Sequence, residues 1–318
     1  MDTTPVYLDC DTGIDDALAI AYLLASPRAE LLGVGTVSGN SDAAQCARNT
    51  LDLLALAGRP DIPVAVGCHD FQAAAYGGGS PHVHGDNGLG GVELPRAERE
   101  PEAESAAEML IRLAREQEGK LHVIAVAPLT NLAEALRRES RLPEMVAHVT
   151  IMGGAALAPG NITAAAEANI FHDPEAAAEV LAAPWPVTLV PLDVTMTEVM
   201  EEEHRRRLLD SGKAVPEVLA RMLEHYFEFY RGIFGRPSSA MHDPLAAAIA
   251  LDEVSVTLGP VVRVAVETGQ GPARGATVCD LRGRYRGNGD QDGATCRVVL
   301  EAEPGFPDAL VDGILQAF

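Results

Sequence analysis

Apolar residues along the chain alternate between short β-branched runs and longer Ala/Leu-rich segments, from the first residues to about residue 193. The longer segments have the apolar spacing of helices with one buried face, whereas the short runs are apolar throughout. Continuous apolar strands separated by helices predict a mostly parallel sheet that is covered on both faces. The predicted strands are 5–9, 31–38, 121–127, 148–152 and 187–192, and the predicted helices are 15–26, 43–57, 104–118, 130–138 and 174–182.

The rest of the chain is expected to complete the same α/β fold. No internal repeat or low-complexity linker interrupts it, so we expect a single domain over residues 1–318 with a mostly parallel central sheet flanked by helices. The Gly-rich stretch 76–91 is too long for a plain turn and is predicted to be a surface loop, a kind of segment that is often functional. The remaining predicted elements are helices at 215–232, 243–250 and 308–317 and strands near 260–267 and 296–301.

Charge and cysteine content exclude several classes of partner. The 318 residues include 24 basic and 46 acidic ones, a net charge of −22, which would repel nucleic acid and anionic membranes over most of the surface. The five cysteines show no CxxC spacing, which argues against a disulfide framework or a structural zinc site. With no signal-peptide pattern and no run of about 20 apolar residues, we expect a cytoplasmic protein with reduced thiols.

Four acids lie within eight residues at the first predicted strand-to-helix turn: Asp9, Asp11, Asp15 and Asp16. In open α/β sheets, ligands bind beyond the carboxyl ends of the strands, where this turn lies. An acid in the first turn of a helix can cap it, which explains one of the four but not all. Like charges this close raise one another's pKa unless a cation neutralises them, and calcium or magnesium prefers all-oxygen ligands. The cluster therefore predicts a metal site.

Two other functions compete with this interpretation. An Asp-x-Asp after the first strand also fits a haloacid-dehalogenase-like, magnesium-dependent phosphatase with Asp9 as its nucleophile. That class also needs a downstream lysine, and neither Lys120 nor Lys213 directly follows a convincing strand end. The third possibility is a sugar- or nucleoside-binding protein without catalytic activity.

An ordered set of motifs extends over nearly the whole chain and resembles the ribonucleoside hydrolases of the inosine-uridine preferring type. Each motif is weak alone, but the set in this order is specific. The resemblance implies Ca²⁺-dependent hydrolysis of the N-glycosidic bond of ribonucleosides in nucleoside salvage, by a homo-oligomer, with a tetramer favoured over a dimer. The motifs are DCDTGIDDALAI (9–20), TVSGN (36–40), HGDNGLGG (84–91), APLTNLA (127–133), IMGGA (151–155), GNITAAAEANIFHDPEAA (160–177) and MHDPLAAA (241–248).

The resemblance also implies a role for individual residues. Asp11 would be both a metal ligand and the general base that activates a metal-bound water, and His242 would be the acid for the leaving base. The other implied metal ligands are Asp16, Asp243 and the main-chain carbonyl of Val126. The implied substrate-binding residues are Asp15, for a ribose hydroxyl, with Asn40, His84, Met152, Asn161, Glu167 and Asn169. Tyr230 joins them because its spacing before His242 could bring it over the base.

Glycosidic cleavage by itself calls for this kind of residue set. Its transition state resembles an oxocarbenium ion, so catalysis needs a negative field, an activated water on one face and help for the leaving base on the other. A calcium ion that binds the 2′- and 3′-hydroxyls would orient the ribose and lower the pKa of a bound water. A 2′-deoxyribonucleoside is therefore expected to be a poor substrate.

Plainer interpretations exist for several of these residues. Asp243 precedes Pro244 and could be a helix cap without any role in metal binding. His242 could be an ordinary buried or surface histidine. His84 could be solvent-exposed in its loop. The three polar residues after the fourth predicted strand could be turn and helix-entry residues: Asn161, Glu167 and Asn169.

The chain also departs from the family pattern. Thr12 replaces the usual proline and Ala127 the usual glycine, which are tolerable changes. Ala168 stands where many members have a phenylalanine against the substrate, so the preference for purine or pyrimidine stays open. Trp185 lies outside the motifs, which argues against the branch that stacks purines between tryptophans, and His242 favours the branch with a histidine there.

Overall fold

Strands form one large sheet and three two-stranded ones in the computed structural model, which describes residues 3–318. In chain order they are β1 (Thr4–Cys10), β2 (Ala29–Thr36), β3 (Val64–Val66), β4 (Leu121–Ala125), β5 (Val146–Met152), β6 (Val187–Val190), β7 (Val199–Glu201), β8 (Ser238–Ala240), β9 (Val256–Leu258), β10 (Val261–Val262), β11 (Val264–Val266), β12 (Thr277–Cys279), β13 (Cys296–Val298) and β14 (Glu301–Ala302). The large sheet has the order β10-β13-β6-β5-β4-β1-β2-β3, and only the β10/β13 pair is antiparallel among these described strands.

Helices cover both faces of this sheet. One apolar core lies between the sheet and α1, α2, α11, α12 and α13, and a second core lies between the other face and α4, α5 and α8. In chain order the helices are α1 (Ile14–Ala25), α2 (Ala43–Leu56), α3 (Pro81–His84), α4 (Ala106–Glu116), α5 (Thr130–Arg138), α6 (Leu142–Met145), α7 (Ala168–His172), α8 (Pro174–Ala182), α9 (Leu192–Thr195), α10 (Glu202–Leu209), α11 (Ala214–Phe234), α12 (His242–Ala250) and α13 (Phe306–Ala317), with a 3₁₀ helix at Leu281–Arg286.

The predicted mostly parallel α/β architecture is confirmed, and each predicted helix and each of the first five predicted strands is present with small shifts at the ends. The predicted strand near 260–267 is instead two strands of different sheets, β10 and β11, and the one near 296–301 is β13 and the start of β14. The elements that were not predicted are short: β3, β7, β8, β9, β12, α3, α6, α7, α9, α10 and the 3₁₀ helix. β3 has only three residues between Pro63 and Gly67, which is too short to show a pattern. α10 buries only Leu208, so it lacks the apolar stripe by which a helix is found in a sequence.

The carboxyl ends of β1, β2, β4 and β5 lie at one edge of the sheet because these strands are parallel neighbours in space. The predicted surface loop 76–91 contains the short helix α3, and it buries His84 rather than exposing it. The expectation of a plain surface loop is therefore wrong at this residue. Within residues 3–318, no helix combines the length and apolar character that crossing a bilayer requires.

Candidate active site

A cavity of about 650 Å³ opens at the edge of the sheet where β1, β2, β4 and β5 end. Its walls come from the residues after these strands, from the segment 158–169, and from α11 and α12. Every residue predicted for the site lines the cavity except Asp16, which is fully buried. The lining residues in question are Asp11, Asp15, Asn40, His84, Val126, Met152, Asn161, Glu167, Asn169, Tyr230, His242 and Asp243.

Three buried carboxylates converge at one side of the cavity. Asp15, Asp16 and Asp243 each have an oxygen within 4.8 Å of an oxygen of the other two, so together they could hold a metal ion. Asp243 lies inside the first turn of α12, whose N-cap is Met241, so the plainer interpretation as a helix cap does not hold. Asp11, one of the expected ligands, is not part of this trio, whereas Asp15, expected to bind a ribose hydroxyl, is. Asp11 adjoins the trio, since its main-chain N–H donates to Asp16 Oδ1 over 3.1 Å.

Asp16 also has a structural role at the start of α1. Its Oδ2 accepts hydrogen bonds from the main-chain N–H of Gly13 (2.8 Å) and from Asn40 Nδ2 (3.1 Å). The predicted capping function is therefore present in addition to any role in metal binding. Asp11 Oδ2 accepts the main-chain N–H of Asn40 over 2.7 Å, and a Cβ on Gly39 would lie 1.9 Å from that oxygen. This turn can approach Asp11 so closely only because residue 39 is glycine.

Burial raises the pKa of each of Asp11, Asp16 and Asp243, and the neighbouring carboxylates raise it further. Main-chain N–H donors to Asp11 and Asp16 oppose this effect only in part. Among the described residues, the buried Oδ1 atoms of Asp11 and Asp15 have no hydrogen-bond partner. An all-oxygen donor set with unpaired acceptors and mutual repulsion suits a hard divalent cation.

Glu167 and Asn169 form a further part of the cavity wall. Glu167 is the N-cap of α7: its Oε1 accepts the N–H of Asn169 (2.8 Å), and its Oε2 accepts those of Gly154 (2.9 Å) and Ile170 (3.1 Å). The plainer helix-entry interpretation therefore also describes Glu167. Burial raises its pKa to about 7, although these main-chain donors lower it.

Asn169 connects two strand ends across the cavity. Its Nδ2 donates to the main-chain oxygen of Val126, directly after β4, over 3.1 Å. It also donates to the main-chain oxygen of Met152, the last residue of β5, over 3.2 Å. Asn161 Oδ1 accepts the N–H of Ala168 over 3.0 Å. Because these bonds use Asn169 Nδ2 and Asn161 Oδ1, Asn169 Oδ1 and Asn161 Nδ2 remain as an acceptor and a donor for a polyhydroxylated ligand.

His242 is held by hydrogen-bond partners at both ring nitrogens. Nδ1 is 2.7 Å from Thr195 Oγ1 and Nε2 is 2.5 Å from the Tyr230 hydroxyl. Burial lowers the pKa of His242, and the charge of Asp15 acts in the opposite direction. Tyr226, one turn before Tyr230 on α11, donates its hydroxyl to Asp15 Oδ2 over 2.9 Å. The two tyrosines thus belong to the polar site as well as to the buried face of their helix.

His84 is buried, so the solvent-exposed interpretation is wrong. Its Nδ1 accepts the main-chain N–H of Ile14 over 3.1 Å, which leaves the proton of the neutral ring on Nε2. Burial lowers the pKa of His84 to about 4, although the nearby Asp15 acts against this. His84 is therefore a neutral hydrogen-bond donor near pH 7 and not a strong acid.

Two positions were misjudged or missed from the sequence. Asp9 is fully buried and is not part of the cavity lining, so it cannot be the nucleophile of a phosphatase; burial raises its pKa to about 7. Thr195, which holds His242, was not identified, because nothing in its local sequence points to a histidine 47 residues later.

The chain is similar to known proteins in sequence and in fold. The sequence model described as inosine-uridine preferring nucleoside hydrolase matches residues 6–305. The chain is similar to the pyrimidine-specific ribonucleoside hydrolase RihA of Salmonella paratyphi B, with 35% identity over 97% of each chain. It is also similar to RihA of Escherichia coli O1:K1, with 35% identity and the same coverage.

Two solved structures are similar over nearly the full length of the chain. The purine-preferring ribonucleoside hydrolase from Gardnerella vaginalis is 30% identical with a TM-score of 0.88, over 98% of this chain and 97% of that one. The plant nucleoside hydrolase PpNRh1 is 28% identical with a TM-score of 0.89, over 99% and 98%. These relatives differ in the base that their names specify, so the comparisons leave the base preference of this chain open.

Proposed function

Because this chain belongs to the inosine-uridine preferring nucleoside hydrolase family and is an enzyme that hydrolyses the N-glycosidic bond of ribonucleosides, we propose that it does so with a Ca²⁺ ion and with Asp11 as general base. The observation that carries this proposal is the convergence of Asp15, Asp16 and Asp243 beside Asp11 in the cavity. Repulsion among these buried carboxylates is largest when no cation is bound.

The ion would be held by Asp11, Asp16, Asp243 and the carbonyl of Val126, with Asp15 beside them for a ribose hydroxyl. Oxygen atoms make up this whole set, which favours calcium or magnesium over softer metals. When bound, the ion supplies a positive charge that orients the ribose hydroxyls and lowers the pKa of water. The free Oδ1 atoms of Asp11 and Asp15, noted above, support this arrangement.

Asp11 is suited to take a proton from the attacking water. Its Oδ2 is held by the N–H of Asn40, while Oδ1 is the oxygen left for a ligand. Burial raises the pKa of Asp11, which strengthens it as a base once the neighbouring negative charges are compensated. Asn161, Glu167 and Asn169, which line the same cavity, would bind the ribose hydroxyls and hold the sugar ring in place.

His242 and Tyr230 form the leaving-group side of the proposed mechanism. Because both ring nitrogens of His242 have partners, we propose that it acts through the Tyr230 hydroxyl. Tyr230 gives its proton to the departing base, and His242 gives its Nε2 proton to the Tyr230 oxygen. This step uses the protonated form of His242, which the negative charge of Asp15 favours and burial opposes. The base then leaves neutral, His242 ends neutral and Tyr230 ends unchanged. His84 would donate a hydrogen bond to the base from Nε2–H. Its Nδ1 accepts the N–H of Ile14, so the proton of the neutral ring stays on Nε2.

One assay tests the proposal. The protein is incubated with inosine, uridine, cytidine, adenosine and 2′-deoxyinosine, with added Ca²⁺ or with a calcium chelator, and free ribose or deoxyribose is measured. We expect ribose release that chelation abolishes and Ca²⁺ restores, little release from the deoxynucleoside, and no release by Asp11→Ala at unchanged folding. Equal rates with and without chelator, equal turnover of inosine and 2′-deoxyinosine, or activity in Asp11→Ala would each contradict the corresponding part of the proposal.

Family membership also supports a homo-oligomer, with a tetramer favoured over a dimer, and a role in cytoplasmic nucleoside salvage as further proposals. Light scattering after size-exclusion chromatography measures the oligomeric state, and a monomer would contradict the proposed homo-oligomer. Growth on a ribonucleoside as the only ribose source, with and without the gene, measures the second.

A further inference from the structure

Asp9, which the proposed mechanism does not use, lies at the centre of a buried hydrogen-bond network just before the acidic turn. Its Oδ2 accepts the Tyr7 hydroxyl (3.0 Å) and Asn131 Nδ2 (3.0 Å). Its main-chain oxygen accepts the N–H of Val126 over 2.8 Å. Asp9 and Asn131 are both fully buried, so these bonds are shielded from competing water.

Asn131 extends the network to two further parts of the sheet edge. Its Nδ2 also donates to the main-chain oxygen of Thr36, the last residue of β2, over 3.0 Å. Its Oδ1 accepts the N–H of Cys68, just after β3, over 2.8 Å. A Cβ on Gly67 would lie 2.1 Å from Asn131 Oδ1, so only glycine allows this close approach. One amide side chain on α5 therefore holds the ends of β1 and β2 and the chain that follows β3.

Each of these strand ends leads within a few residues to the site. Asp11 follows Asp9 by two residues, and Asn40, whose N–H holds Asp11 Oδ2, follows the end of β2. Val126, whose carbonyl is a proposed metal ligand, is held by the Asp9 carbonyl. A shift at Asp9 would therefore displace both Asp11 and Val126. A misplacement of about 1 Å can cost about 100-fold in rate.

We propose that the Asp9–Asn131 pair is a positioning element that sets the distance between Asp11 and the Val126 carbonyl, and thereby the metal affinity and the rate of hydrolysis. This inference rests on the proposed function, because Asp11 and Val126 have their roles only there. The pair acts through other residues and does not touch the substrate.

The experiment compares the full-length wild type with Asp9→Leu, Asp9→Asn and Asn131→Leu. We expect Asp9→Leu to weaken Ca²⁺ binding at least 10-fold in calorimetry and to lower kcat about 100-fold, while Asp9→Asn, which retains an acceptor oxygen, recovers most of both. The double variant Asp9→Leu/Asn131→Leu should be little worse than either single one, because the two residues act as one unit.

Thr130→Val is the matched control. Thr130 precedes Asn131 on α5 and donates its hydroxyl to the buried Asp173 over 2.7 Å, a comparable polar contact without a bond to the acidic turn. The Thr130→Val variant should have a lower free energy of unfolding in urea than the wild type but the same Ca²⁺ affinity and kcat. Should Asp9→Leu not fold, Asn131→Leu and Asp9→Asn carry the test, with a weaker metal affinity expected for the first only.

The outcomes separate this inference from the proposed function. Variants that lose unfolding free energy as Thr130→Val does, with unchanged Ca²⁺ affinity and kcat, would show that the pair is only structural and would overturn the inference. A wild type without Ca²⁺ dependence would instead overturn the proposed function. In that case kcat alone decides on the pair: an unchanged kcat in Asp9→Leu refutes the positioning role and a large loss that Asp9→Asn reverses supports it.

Discussion

Replacing Tyr230 by phenylalanine separates proton delivery from packing at the leaving-group side. The change removes only the hydroxyl, which is 2.5 Å from His242 Nε2. The ring keeps its neighbours, because its centroid lies 5.0 Å from those of Tyr226 and Phe229 and 5.5 Å from that of Phe234. The structural cost is therefore one buried hydrogen bond and an unpaired ring nitrogen, about 1–3 kcal/mol of folding free energy.

The catalytic effect of Tyr230→Phe should be larger and should depend on the leaving group. General acid catalysis contributes about 10²–10⁴-fold in rate, so we expect kcat for inosine to fall by about 100-fold. A nitrophenyl riboside departs as a stabilised phenolate and needs no proton, so its hydrolysis should change by less than about 3-fold. The assay is steady-state kinetics of both substrates at saturating Ca²⁺, with the thermal midpoint as a check of folding.

Tyr226→Phe is the matched control for this experiment. It also removes one buried hydroxyl from α11, but that hydroxyl donates to Asp15 on the ribose side. Both substrates contain the same ribose, so Tyr226→Phe should slow both by a similar factor. If Tyr230→Phe also slows both substrates equally, or slows neither, proton delivery through Tyr230 is refuted.

The buried acids Asp243 and Glu167 and the turn at Gly39 give three more tests. Asp243→Asn removes one of three converging charges, so the thermal midpoint of the variant in chelator should be higher than that of the wild type. The stabilisation that Ca²⁺ confers on the wild type should largely vanish in the variant. An unchanged Ca²⁺ response would contradict the role of Asp243 as a ligand. Burial raises the pKa of Glu167 from 4.5 to about 7, so its contribution favours folding at low pH and is lost as pH rises. In chelator, urea denaturation should show that this group contributes about 3 kcal/mol less stability at pH 7.5 than at pH 4.5. Glu167→Gln should remove this difference, and no difference is expected if the group titrates normally. Gly39→Ala places a Cβ 1.9 Å from Asp11 Oδ2, so kcat should fall by at least 10-fold in a folded protein; a fully active variant would show that this turn tolerates the displacement.

The sequence alone determined the order of the longer elements, the mostly parallel sheet and the edge at which the site lies. Apolar runs and helical spacing are local properties, and ordered motifs identified the family before any contact was known. Elements without a local signal were the ones missed, such as β3 with three residues and α10 with a nearly all-polar surface.

Only the tertiary structure decided the partners of the site residues. Tyr226 and Asp15 are 211 residues apart, and Thr195 and His242 are 47 apart, so no spacing rule connects them. The burial of Asp9 likewise follows from the packing of β1 against its neighbours. Asp9, a candidate nucleophile from the sequence, is therefore a buried hydrogen-bond acceptor. Sequence spacing sets which strand end a residue follows, but burial and hydrogen-bond partners, which set its charge state and chemistry, arise only when distant segments pack together.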